Sequence, residues 1–164
     1  MSSAVQAPSV PLAVRHRPWP APSRAPRMAN EEDVRPGLSL TSRFLCRDGQ
    51  PWIPVSGELH YSRVPRDRWG ERLRLMRSGG LTVVSSYVPW IHHVPDQGAP
   101  RFDGNLDLAA FVDLCRASGL EVVLRIGPWV HAEMRNGGFP DWVQRAPVVH
   151  RSDDPGYLDL VREW

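Results

Sequence analysis

The sequence contains only two cysteines among its 164 residues, Cys46 and Cys115. They lie far apart, and no CxxC or other metal-ligand spacing surrounds them, so reduced, packed thiols are favoured over a disulfide framework or a metal site. A run of about 18 apolar residues, which a membrane-spanning helix requires, is also missing, as is the apolar segment of a secretory signal. We therefore expect a cytoplasmic protein that does not enter a membrane.

Acidic residues are absent from residues 1–30, which carry six prolines and four arginines. This composition is typical of a disordered extension, so we predict a disordered Pro/Arg-rich leader over residues 1–35 and a folded domain over residues 36–164. Once residues 1–30 are removed, 16 basic and 18 acidic residues remain. The basic character of the chain thus belongs to its start, and no nucleic-acid partner is expected.

A repeat organises the folded part. The segments SGGLTVVSSYVPW and ASGLEVVLRIGPW share the frame Gly-Leu-x-Val-Val followed by Pro-Trp, and their glycines Gly80 and Gly119 are 39 residues apart. Each segment is short, apolar and β-branched after its glycine. This pattern is typical of a strand buried on both faces of a parallel sheet.

Each repeated strand follows a helical pattern. In residues 65–80 the side chains of Trp69, Leu73 and Met76 fall on one helix face, and two glycines suit the helix end. In residues 105–119 the corresponding apolar stripe is Leu108, Phe111, Val112 and Cys115. The pattern places the second cysteine on the sheet-facing side of a helix, which favours a structural role for its thiol.

A hairpin and a first strand precede the repeats. Asp48 and Gly49 predict the hairpin turn, and its second arm, Trp52 to Leu59, is expected to continue as the first strand. The segment DPGYLDLVREW opens a further helix after the second repeat. The predicted order is therefore strand, helix, strand, helix, strand, helix.

Two architectures use such units, the open doubly wound sheet and the closed (β/α)8 barrel. No GxGxxG follows a strand, which removes the most direct argument for a dinucleotide-binding sheet. Polar and aromatic residues instead crowd the C-terminal ends of the strands, where a barrel assembles its chemistry. We predict an α/β fold that comprises the first three βα units of a TIM barrel. Because a barrel needs eight units, the chain is expected to require the missing barrel half or to self-associate.

The strand ends supply the candidate functional residues: Glu58, His60 and Tyr61 after the first strand, Tyr87, Trp90, His92 and His93 after the second, and Trp129, His131 and Glu133 after the third. Glu58 either lines a site or pairs with Arg63 or Arg125, and the ion pair is favoured. The segment HAE also matches the H-x-E of zinc deaminases, but their later PCxxC is absent. Hydrogen-bonded histidines are therefore favoured over metal ligands, and no metal site is predicted.

Four segments carry a resemblance to a known family: DGQPWIPVSGELHYSRVPRDRW, GLTVVSSYVPWIHH, GLEVVLRIGPWVHAEMRNGGFPDW and RSDDPGYLDLVREW. In order and spacing, from about Phe44 to Trp164, they resemble the N-terminal third of the catalytic barrel in glycoside hydrolase family 35, the β-galactosidases. The resemblance implies retaining hydrolysis of terminal β-galactosides by two glutamates, with no cofactor. In the family these glutamates follow the fourth and seventh strands. Neither is expected in this chain, which is expected to be inactive alone.

The same resemblance assigns sugar-binding roles to three residues. Tyr87 corresponds to a tyrosine that contacts galactose, and Ala132 with Glu133 to the pair whose backbone and carboxylate hold sugar hydroxyls. Trp90 and Trp129 either face the sugar or close the barrel mouth, and packing is favoured for both. The weaker candidates for substrate contact are Glu58, Trp90, Trp129 and Asn136.

The sequence departs from the family pattern at two places. Ile91 and Val94 stand where many members have asparagine and glutamate, and HAEMRNGG replaces the commoner form that begins Cys-Ala-Glu-Trp-Glu. These differences weaken galactose specificity and leave the fold inference intact, so the expected partner is a galactoside or a related glycan. The alternative is a non-catalytic chain, either a truncated product or a carbohydrate-binding fragment.

Overall fold

The computed structural model describes residue 18 and residues 37–164. The leader predicted over residues 1–35 therefore lies outside the described residues, apart from the single exposed residue Pro18. Within the described part of the chain, every helix is too short or too polar to cross a bilayer.

Residues 37–53 form a small antiparallel sheet of their own. Its strands follow one another in chain order and are β1 (Leu38–Leu40), β2 (Leu45–Arg47) and β3 (Gln50–Pro51). Asp48 and Gly49 have φ of 50° and 75°, the left-handed values that a tight two-residue hairpin turn requires. The predicted hairpin turn is confirmed.

The expected extension of that hairpin from Trp52 to Leu59 is wrong. The second arm ends at Pro51, and the next strand, β4 (Ser56–Glu58), belongs to a different sheet. Pro51 and Pro54 have no backbone N–H to donate, so a ladder cannot run unbroken through this segment. The first parallel strand is consequently three residues long.

Residues 54–164 contain a parallel sheet in the order β4, β5 (Val83–Tyr87) and β6 (Glu121–Arg125). Helix α1 (Trp69–Ser78) connects β4 to β5, and α3 (Leu108–Ala117) connects β5 to β6. The remaining α-helices of this part are α2 (Trp90–His93), α4 (Asp141–Gln144) and α5 (Pro155–Glu163), and short 3-10 helices span Tyr61–Arg63, Arg66–Arg68, Gly104–Leu106 and Arg135–Gly138. The α/β class and the alternation of strands and helices are confirmed.

The core lies between the two connecting helices and one face of the sheet. Trp69 and Leu73 on α1 meet Phe111 and Cys115 on α3, and all four are 0% exposed. Burial raises the pKa of the Cys115 thiol to about 12, so this thiol stays protonated and unreactive. The structural role predicted for Cys115 is confirmed.

Alternation along the strands divides the sheet into two faces. Val84 and Val122 pack with the helices. Because successive side chains point to opposite faces, Ser85 and Tyr87 lie on the other face, with the residues that the register sets beside them. Those neighbours are Glu58, Val123 and Arg125.

Among the strands in residues 37–164, β5 alone is buried along its whole length. The expectation that the second repeated strand is also buried on both faces is wrong, since Val123 is 48% and Leu124 37% exposed on β6. Among the described residues, β6 is an edge of the sheet and pairs with β5 alone. Because β6 has one neighbour among these strands, its apolar side chains Val123 and Leu124 are only partly covered.

Leu73 and Leu75 provide a matched test of this packing. Both lie on α1, but Leu73 is 0% and Leu75 57% exposed. We expect Leu73→Ala to lower the free energy of unfolding by about 2–5 kcal/mol, because it leaves a cavity against α3, and Leu75→Ala to change it by less than about 0.5 kcal/mol. The measurement is the urea concentration at which half of the protein becomes susceptible to protease. Equal shifts in the two variants would show that α1 does not pack as described.

Candidate functional site

The candidate site lies at the C-terminal ends of the three parallel strands. Tyr87 is the last residue of β5 and pairs in register with Arg125, the last residue of β6. The two side chains share a sheet face, and the Arg125 guanidinium carbon lies 3.6 Å from the centroid of the Tyr87 ring. Tyr87 is 9% exposed, so this cation–π contact is well shielded from water.

Glu58 is the last residue of β4, and its carboxylate forms an ion pair with Arg125 on the same face of the sheet. Arg125 Nη2 donates to Glu58 Oε1 at 2.5 Å, and the other carboxylate oxygen lies 3.4 Å from His60 Nε2. The ion pair between Glu58 and Arg125, which was the favoured interpretation, is confirmed. Since the Glu58 side chain remains 54% exposed, the pair adds little stability, but its carboxylate stays accessible to a ligand.

His60 is the centre of this cluster. Its Nδ1 accepts a hydrogen bond from the Tyr87 backbone N–H at 3.3 Å, so the ring proton resides on Nε2, which faces Glu58. Burial lowers the His60 pKa below its usual value. The carboxylates of Glu58 and Glu133 raise it, while the charges of Arg63 and Arg125 lower it. The ring is therefore predominantly neutral at pH 7.

The segment that follows β6 brings Glu133 to the same cluster. Its backbone carbonyl accepts from Arg63 Nη2 at 3.1 Å, and its carboxylate is close enough to influence the His60 pKa. Glu133 is exposed, whereas the preceding Ala132 is half-buried. Tyr87 and Glu133, which the sequence assigned to one site from separate motifs, thus contact neighbouring residues after β4, His60 and Arg63.

Asp141 anchors the loop that carries Glu133. Asn136 Nδ2 donates to Asp141 Oδ1 at 2.8 Å, and Arg135 Nη2 donates to Asp141 Oδ2 at 2.6 Å. Asn136 has a φ of 56°, a left-handed value that asparagine tolerates. Its amide nitrogen thus stabilises the loop, and a contact with sugar stays a prediction.

The two tryptophans of the repeated Pro-Trp step have different surroundings. Trp90 is 2% exposed, and its ring stacks on Trp164 with centroids 5.6 Å apart, which agrees with the packing role favoured for it. Trp129 is half-buried beneath the Arg151 guanidinium, 4.4 Å from its ring centroid. Gly137 lies so close to Trp129 that a Cβ would stand 1.8 Å from the indole nitrogen. A glycine is therefore required where the loop crosses the indole.

His93 and Tyr61 lie in the core and take no part in the site. Both are 0% exposed, and the Tyr61 hydroxyl is 2.6 Å from His93 Nε2. His93 Nδ1 lies 2.7 Å from the Arg101 carbonyl oxygen, which only accepts, so Nδ1 carries the proton and Nε2 accepts from Tyr61. Burial lowers the His93 pKa, which keeps the ring neutral. The interpretation as a satisfied structural histidine is confirmed for His93 and wrong for His92, whose buried Nδ1 has no hydrogen-bond partner among the described residues.

Two features of the site were not identified from the sequence. One is the stacking of Arg125 on Tyr87, which depends on strand register. The other is Asp141 as the anchor of the loop. The sequence gives a faint signal for the anchor. Asp141 lies shortly after an Asn-Gly-Gly turn, and an acidic residue there can bind the preceding arginine and asparagine.

Comparison with solved structures identifies the class of fold. The exo-β-1,4-mannosidase Op5Man5 from Opitutaceae bacterium strain TAV5 superposes with a TM-score of 0.55 at 22% sequence identity, covering 68% of this chain and 21% of that chain. This likeness concerns the fold alone and agrees with the α/β architecture.

Sequence comparison identifies the family. The model of glycosyl hydrolases family 35 matches residues 44–164, and the chain belongs to this family of glycosidases. It is 46% identical over 123 residues to a mouse (Mus musculus) β-galactosidase-1-like protein, with 74% of this chain and 19% of the relative covered. It is 41% identical over 144 residues to the human (Homo sapiens) β-galactosidase, with 87% and 21% covered. The chain spans about a fifth of the length of the curated relatives it matches.

The His60 pKa provides a test of the site geometry. Removal of the negative charge in Glu133→Gln should lower the His60 pKa further, because that charge favours the protonated ring, and Arg63→Gln should raise it. The measurement is an NMR titration of the histidine ring protons, with His60 assigned from a His60→Gln variant. Glu71→Gln on α1 serves as the control and should leave the titration unchanged. An unaltered His60 pKa in Glu133→Gln would place that carboxylate away from the cluster.

Proposed function

We propose that this chain forms part of the sugar-binding site of a retaining β-galactosidase, in which Tyr87, Ala132 and Glu133 contact the sugar. The observation that carries the proposal is that Tyr87 and Glu133 both contact the segment that follows β4: the Tyr87 backbone N–H donates to His60, and the Glu133 backbone carbonyl accepts from Arg63. Membership of family 35 and relatives named β-galactosidase support a terminal galactoside, or a related glycan, as the partner.

The chemistry of the cluster suits the recognition of hydroxyl groups. An ionised carboxylate such as Glu133 accepts two charge-assisted hydrogen bonds in defined directions, and the Tyr87 hydroxyl can donate or accept one. Polar groups held in fixed positions distinguish hydroxyl configurations, because a misplaced hydroxyl leaves a buried partner unpaired. Glu58, with an exposed carboxylate beside His60, is a further candidate contact.

In this proposal the chain binds the sugar and the reaction occurs on other residues. Retaining hydrolysis needs an acid/base and a nucleophile whose carboxyl groups are about 5 Å apart. By the family pattern these glutamates follow the fourth and seventh strands of a barrel whose first three βα units lie in residues 36–164. Glu58, held by Arg125, and Glu133, on its anchored loop, are assigned to substrate binding.

The binding role of Glu133 is tested with galactose. Glu133→Gln keeps the shape of the side chain and removes its charge, so we expect roughly 10–100-fold weaker binding, the equivalent of one charge-assisted hydrogen bond. Ligand-observed NMR titration of the chain with galactose measures the dissociation constant even when binding is weak. Glu71→Gln is the matched control, since Glu71 lies on α1 in an exposed ion pair with Arg68. Equal affinity in Glu133→Gln and the unsubstituted chain would refute the role.

Catalysis is tested separately. The 164-residue chain alone is expected to leave a chromogenic β-galactoside unhydrolysed, because both reacting glutamates are assigned to later strands. The assay compares the rate with the chain and the rate in buffer, and a Glu58→Gln, Glu133→Gln double variant controls for traces of host enzyme. Hydrolysis that disappears in the double variant would show that these two carboxylates react, contrary to the proposal.

A further inference from the structure

We propose that Arg125 is a positioning residue that fixes the Tyr87 ring, and with it the phenol hydroxyl, for contact with the sugar. This inference rests on the proposed function and adds a residue that holds Tyr87, one of the proposed sugar contacts, in place. Arg125 acts through Tyr87 and needs no contact with the sugar itself.

The sheet places Arg125 against its neighbours across the strands. Tyr87 and Arg125 are paired in register, so the two side chains leave adjacent strands on the same face. The guanidinium lies 3.6 Å from the ring centroid of Tyr87, and the His60 ring is 5.2 Å from the same centroid at an angle of 34°. Arg125 and His60 together restrict the rotation of the Tyr87 side chain.

Arg125 is itself held in place. The 2.5 Å hydrogen bond from its Nη2 to Glu58 Oε1 ties the guanidinium to β4, so the three strands contribute one side chain each to a single arrangement. A guanidinium suits this position because it is planar, and it can stack on an aromatic ring while its edge donates to a carboxylate. A lysine ammonium would retain the charge without the flat surface.

The hydroxyl that Arg125 positions is free to bind a ligand. Within residues 37–164, the Tyr87 ring contacts Arg125 and His60, and its hydroxyl has no hydrogen-bond partner. The buried Nε of Arg125 likewise lacks an acceptor in this part of the chain. An unpaired buried N–H reduces stability, so folding alone does not explain why an arginine occupies the position.

A double-mutant cycle tests the coupling between the two residues. Galactose affinity is measured by the same NMR titration for Arg125→Met, Tyr87→Phe and the combined variant. Each single substitution is expected to weaken binding about tenfold, the scale of one hydrogen bond or one shielded cation–π contact. The combined variant is expected to bind no more weakly than Tyr87→Phe, because without the hydroxyl nothing remains for Arg125 to position. Arg74→Met, an exposed arginine on α1, is the control.

If Arg125→Met does not fold, Arg125→Lys takes its place in the test. Lysine retains a positive charge beside Glu58, so binding about tenfold weaker in a folded Arg125→Lys variant supports the stacking role. Full affinity in Arg125→Lys, or losses that simply add in the combined variant, would overturn the inference. Weaker binding in Tyr87→Phe with full affinity in Arg125→Met would overturn it while leaving the proposed function intact. Full affinity in Tyr87→Phe would overturn both.

Discussion

The hydrogen-bonded register of β5 is the constraint on which the rest of the structure depends. This strand pairs with β4 on one side and β6 on the other, and its five residues are all buried. Parallel pairing brings the three C-terminal strand ends to one edge, and alternation sends Val84 to the helices and Tyr87 to the opposite face. Core and candidate site are therefore formed by alternate residues of the same five-residue segment.

The position of Glu133 depends on contacts within its own loop. The loop after β6 closes on itself through Asp141, which binds both Arg135 and Asn136, and it passes Trp129 at a point where only glycine fits. These contacts hold a loop whose regular structure is limited to a short 3-10 turn over Arg135–Gly138. The residues involved belong to the segment HAEMRNGG and its continuation, which is where this chain departs from the commoner family pattern.

Periodicity predicted the elements well because helices and buried strands impose a regular spacing on apolar residues, as at Trp69, Leu73 and Phe111. It did not predict the extent of the first strand, because two prolines interrupt pairing there. It also did not predict the exposure of β6, because burial depends on what packs beside the strand. Tyr87 and Glu133 were assigned through motif resemblance. The stacking of Arg125 and the anchor at Asp141 could not be predicted, because each depends on which residues face one another in three dimensions.

The two sequence repeats are out of step with the pairing of their strands. Aligned by their Gly-Leu frame, Tyr87 corresponds to Ile126, yet the ladder pairs Tyr87 with Arg125, one residue earlier. The ladder is therefore offset by one residue from the sequence repeat. Since side chains alternate, the same offset turns arginine instead of isoleucine towards the tyrosine. The contact between arginine and tyrosine at the candidate site thus follows from a single step in register.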